Sequence, residues 1–156
     1  MTPSKQVQTP PSGSTVALLA SADALLRAAL EACRQHERVS RLLEKHCADD
    51  ELRDAAMLCE LSAAHLTGRL KEYEAAASEG RGACDETLWH VANTLWHASR
   101  EYQRRAQSGD AAALHLSRHN PERMGELHLE FEFAASAVLA VRQAIAAYRK
   151  LRTDAE

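Results

Sequence analysis

The chain has 156 residues, 46% of them apolar but only 4% aromatic, and its 19 basic and 22 acidic side chains leave a net charge of −3. That balance gives no electrostatic footprint for nucleic acid or for an anionic membrane surface. No run of about eighteen apolar residues occurs, which rules out a hydrophobic membrane-spanning helix.

Residues 1–14 are polar and carry three prolines, as expected of a disordered tail. A long amphipathic segment follows over about 15–47, with Leu18, Ala22, Leu25, Ala29, Ala32, Val39 and Leu43 recurring by threes and fours. Arg34, Arg38, Arg41 and Lys45 line another side of it and read as a solvated face. Asp50 caps a second helix over about 50–77, whose inner face is Leu52, Ala56, Cys59, Ala63, Leu66, Leu70 and Tyr73. After Gly80-Arg81-Gly82, Asp85 caps a third helix over about 86–106, apolar at Leu88, Val91, Ala92, Leu95, Ala98 and Tyr102. Asn120-Pro121-Glu122 is a helix start signal for the last helix, about 121–151. That helix carries one ridge of Leu127, Phe131, Ala134, Val138 and Ile145, and a second of Phe133, Ala137, Ala140, Ala144 and Leu151.

Much of the apolar share is alanine, a strong helix former and a poor strand residue. Short connections after the first and second helices make neighbours antiparallel. The expected fold is therefore all-α, an up-down-up-down four-helix bundle over residues 15–152. Cys33, Cys47, Cys59 and Cys84 lack the paired spacing of a zinc site and read as free thiols in a reducing, cytoplasmic setting.

Three groups stand where an apolar residue is expected. His36 interrupts the stripe of the first helix, Glu130 projects between the two ridges of the last, and Glu126 sits one turn earlier. At a rise of about 1.5 Å per residue, His36, Glu130 and Cys59 fall roughly 14–16 Å from their helix ends, in one layer. A buried carboxylate is expensive unless paired or bound to a metal. Two readings remain open: a His36–Glu130 pair that fixes register, and a site for iron or zinc built from His36, Glu130 and Glu126 or Cys59.

The third helix repeats Leu88-Trp89-His90 as Leu95-Trp96-His97, seven residues on. Glu86, His90, Asn93, His97 and Glu101 share its polar face. Both tryptophans stand at the border of that face, so Trp89, Trp96, His90 and His97 are candidates for a partner surface, against the alternative that the indoles widen the core contact.

Four antiparallel helices with the inward carboxylates Glu126 and Glu130 and the histidine His36 resemble the ferritin-like superfamily over residues 15–152. The resemblance implies a metal-binding bundle core. It is architectural, because no glutamate here is followed by histidine three positions later, the repeat on which that family's di-iron centre rests. His97-x-x-x-Glu101 followed by His115-x-x-x-His119 is similar to the middle ligands of hemerythrin-like proteins, without counterparts for the later ligands. The sequence thus points to a cytoplasmic, non-enzymatic bundle acting by association, as a homo-oligomer (a dimer) or with another protein. The alternative is a ferritin-like metal binder.

Overall fold

The computed structural model describes residues 13–45, 50–80, 85–106, 129 and 131–155. These form four helices and, among the described residues, no strand: α1 (Gly13–Glu44), α2 (Asp50–Gly80), α3 (Glu86–Ala106) and α4 (Ala135–Ala155). The chain is all-α, as its composition predicts. Gly13 and Ser14, expected in the tail, belong to α1, while residues 1–12 lie outside the described residues. So do the start signal at Asn120-Pro121-Glu122 and Leu127.

Helix ends follow from local chemistry. The Asp85 carboxylate accepts the Leu88 N–H at 3.1 Å, and its carbonyl accepts the Trp89 N–H at 2.9 Å, so Asp85 caps α3 as expected. Asp50 and Glu51 open α2, where carboxylates meet the positive end of the helix dipole. Arg104 and Arg105 close α3, and Arg152 lies in the last turn of α4.

The stripe predicted on α1 is buried at every position. On α2 the predicted face is buried except at Ala63, which is half-buried. On α3, Ala92, Leu95 and Tyr102 are buried, together with Ser99. Asn93, expected on the polar face, is half-buried and accepts the Tyr73 hydroxyl proton at 2.6 Å. The wide buried face expected of the last helix needs correction. Ala134, Ala137, Val138, Val141, Ala144, Ile145 and Tyr148 form one inward stripe, whereas Ala140 is exposed and Phe133 is 66% exposed. Both stand off that stripe. Alanine is indifferent to exposure, and the Phe133 ring serves as a platform for the Arg105 guanidinium, 5.3 Å from its centroid.

α1 makes its most extensive contact with α2, and α3 with α4, while smaller contacts join α1 to α4 and α2 to α3. The core has two parts. The larger gathers Leu18, Leu25 and Cys33 of α1, Leu66 and Tyr73 of α2, Leu95 and Tyr102 of α3, and Val141 and Tyr148 of α4. The smaller gathers Val39 and Leu43, then Leu52, Ala56 and Cys59, with Phe131 just ahead of α4. Each fully buried Leu, Val or Tyr of this kind contributes about 1.5–3 kcal/mol. Polar ties sit on the rim. Tyr148 donates to Asp23 at 2.7 Å, the Trp96 indole N–H donates to the Leu70 carbonyl at 3.1 Å, and Gln103 donates to Thr67.

Candidate functional site

His36 lies on α1 between Cys33 of the larger core and Val39 of the smaller, and only 3% of its surface is exposed. Its place follows from period, since it occupies a position of the apolar stripe that runs from Leu18 to Leu43. Two neighbours hold the ring through three contacts. Phe131 stacks on it with centroids 4.6 Å apart, Tyr102 meets it edge-on at 5.4 Å, and Nε2 lies 3.2 Å from the Phe131 carbonyl oxygen. A carbonyl can only accept, so the proton belongs on Nε2. Nδ1 is buried and has no hydrogen-bond partner among the described residues.

Burial lowers the His36 pKa, against smaller opposing effects of the Phe131 carbonyl and the Glu37 carboxylate. The imidazole is therefore neutral at pH 7, with a lone pair on Nδ1. Burial also pushes the Cys33 thiol up to about 12 and the Cys59 thiol up to about 11, so both stay protonated. Both thiols are free. Burial raises the Tyr102 hydroxyl as well. A protonated buried thiol is a poor nucleophile and a poor metal ligand.

A cleft of about 390 Å³ opens beside this layer, lined by His36, Glu37, Ser40 and Arg41 of α1 and Ala135, Val138, Leu139 and Arg142 of α4. The Arg142 guanidinium grips both oxygens of Glu37, with Nε at 2.9 Å. This hydrogen-bonded pairing lowers the Glu37 pKa. Fork-to-carboxylate contacts of this type fix geometry as well as energy.

The predicted site residues are thus distributed unevenly. His36 is at the centre of the layer, and Cys59 is in the adjoining cluster that Phe131 completes. Glu130 and Glu126 lie outside the described residues. Among the described residues no three His, Cys, Asp or Glu side chains converge as metal ligands. His115 and His119 also lie outside the described residues.

Trp89 and Trp96 are half-buried against the larger core. Trp96 spends its N–H on Leu70, meets His97 edge-on at 4.9 Å and carries Arg100 above its ring at 5.3 Å. His90 and His97 are exposed.

Sequence reasoning missed a different surface. Met57, Leu58 and Leu61 of α2 are 50%, 43% and 65% exposed, outside the stripe that faces the core. The signal was present in the run Ala-Ala-Met-Leu-Cys-Glu-Leu over 55–61, which is apolar on more sides than one buried stripe can use. No protein-family model, curated protein or solved structure matches this chain.

Proposed function

We propose that the chain is a non-enzymatic helical-bundle protein that works by association, with a second copy of itself or with another protein. The observation that carries this reading is the group of large apolar side chains on the outer face of α2, Met57, Leu58 and Leu61, which no other helix among the described residues covers. Contiguous exposed apolar groups on a helical domain are the usual mark of a contact surface. In this reading Trp89 and Trp96 serve the α2–α3 packing first, and His90 and His97 edge a secondary surface.

An antiparallel up-down-up-down course belongs to the same reading. Asp23, early in α1, meets Tyr148 and Arg152 late in α4, whereas His36 meets Phe131 ahead of α4. Tyr73 meets Asn93 while Thr67, earlier in α2, meets Gln103, later in α3. Both patterns suit antiparallel neighbours. The protonation states of the buried layer favour a structural role over catalysis: a neutral imidazole and two protonated thiols hold no activated nucleophile. Free thiols at Cys33 and Cys59 suit a reducing cytoplasm. Sedimentation velocity over low to high micromolar protein tests the reading. A mass that rises with concentration, or a stable dimer, supports self-association, and a stable complex recovered with another protein supports the heterotypic form. A monomer throughout with no such complex removes the reading.

A ferritin-like metal-binding bundle is the second reading, favoured by the unpartnered, deprotonated Nδ1 of buried His36. Metal analysis of protein purified without tag or added metal decides it. Stoichiometric iron or zinc that disappears in His36→Ala supports it, and metal-free wild type removes it.

A further inference from the structure

We infer that the outer face of α2 docks against the same face of a second copy, antiparallel and across a two-fold axis beside Leu61. This rests on the reading of the chain as one that acts by association, and it names the partner and the surface.

At about 100° of turn per residue, Leu61 stands at the middle of the outward stripe. Asp54, Met57 and Leu58 precede it, and Ala64, His65 and Gly68 follow it. The stripe is asymmetric: Met57 and Leu58 are bulky on the N-terminal side of Leu61, whereas Ala64 and Gly68 are small on the C-terminal side, with His65 beside them. A two-fold at Leu61 turns this asymmetry into self-complementarity. Met57 then lies over the partner's Ala64, Leu58 beside the partner's His65, and Asp54 against the partner's Gly68. An isologous contact needs such a match of one patch with its own reverse.

Gly68 supports the same geometry. It sits inside α2, where glycine costs backbone entropy relative to alanine, yet a Cβ built there meets nothing within 4 Å. Nothing among the described residues requires a glycine at that place, whereas a helix crossing close by would.

Charge runs the same way along the flanks. Exposed Glu51 at the start of α2 faces the partner's Arg69, and the reverse pair forms on the other side of the axis. Arg69 already pairs with its own Glu72, so Glu51 of the second copy joins it as a second acid. On the opposite flank Arg53 approaches the partner's Lys71, but Arg53 is offset by its own Asp54, 4.0 Å away. The centre of the contact is then Met57, Leu58, Leu61 and Ala64, with Asp54 and His65 beside them, and its flanks carry one opposite-charge and one like-charge pairing.

The test uses the full chain. Leu61→Asp should raise the dimer dissociation constant at least tenfold in sedimentation velocity, with an unchanged circular-dichroism spectrum. Glu51→Arg should weaken the dimer, and adding Arg69→Glu in the same chain should restore it, because only the antiparallel arrangement re-pairs those two positions. Leu61→Cys should form a disulfide-linked dimer under mild oxidation well above the wild-type background, and Glu72→Cys should not. A wild-type dimer that survives Leu61→Asp, or that shows neither charge rescue nor the cross-link at position 61, overturns this inference while leaving association by another surface standing. A wild type that stays monomeric overturns this inference, and with it self-association.

Discussion

Two departures from the ordinary hydrophobic pattern run in opposite directions. Inside, the imidazole of His36 occupies a core position; outside, Met57, Leu58 and Leu61 of α2 stand in solvent. The first departure is compensated within the chain. Phe131 and Tyr102 bury the ring's faces and edge, and the Phe131 carbonyl takes its one proton. The second has no such compensation among the described residues, where no other helix covers that face. A polar group inside is thus explained by what touches it, and the apolar group outside is what the proposed association would cover.

The largest effect is expected inside. His36→Ala removes a ring packed between two aromatics and one hydrogen bond, and should cost about 3–4 kcal/mol in denaturant unfolding, within the range for large-to-small core changes. His36→Phe keeps the ring and discards the unpartnered Nδ1 but loses the Nε2–H bond to the Phe131 carbonyl, so it should cost only about 1–2 kcal/mol. A loss above about 3 kcal/mol for His36→Phe would show that the nitrogen atoms, not the ring, hold the layer. It would also revive the metal reading.

Acid sharpens the same contrast. Burial lowers the folded-state pKa of His36 below its ordinary value of 6.5, so the unfolded chain takes up this proton first. Stability should be full above about pH 6.5 and decline as pH falls from there through the lowered folded value. Glu37 acts in a second window. Its pKa is lowered by Arg142, so its contribution is present above about 4.5, the ordinary value, and is lost as pH falls below that. Urea titrations from pH 8 to pH 3 should show both declines, and His36→Phe should flatten only the upper one. A wild-type profile that is flat between pH 6.5 and 5 would mean the histidine is not buried.

Smaller effects probe α2 itself. Tyr73→Phe removes the hydroxyl that joins α2 to Asn93 of α3, and should cost about 1 kcal/mol. Gly68→Ala adds a methyl that meets nothing in the chain and should stabilise the monomer by about 0.5–1 kcal/mol, measured at concentrations too low for association. A destabilisation there would place a neighbour against Gly68 that the single chain does not show.

Much of the fold was legible in the sequence because α1 and α2 keep strict helical periods with large residues at the key positions. Every apolar position read on α1 is buried, and so is His36, which was recognisable as an intruder in a regular stripe. α4 was harder. Its ridges are written mostly in alanine, which carries little information about facing, and its one bulky member of the second ridge, Phe133, turns out to be exposed. Asn93 was misread for a related reason: period assigns a face but not the tyrosine across the way that bonds to it. The tryptophans drew attention by their rarity, yet residue type alone could not separate an indole that fills the α2–α3 junction from one that awaits a partner. The exposed face of α2 is hard to read because the core stripe already accounts for a helix, and periodicity gives no role to apolar residues beyond it.

On the proposed reading, the exposed apolar face of α2 serves association and contributes little to folding. This reading is tested most directly by running wild type and Leu61→Asp side by side, in sedimentation velocity at matched concentrations and in thermal melts at a dilution where both are monomeric. The account predicts that the substitution abolishes the associated species while the monomer's melting temperature moves by no more than about 2–4 °C, the equivalent of roughly 1 kcal/mol for a domain of this size. An associated species unaffected by Leu61→Asp, or a collapse of the monomer's melt, would contradict it.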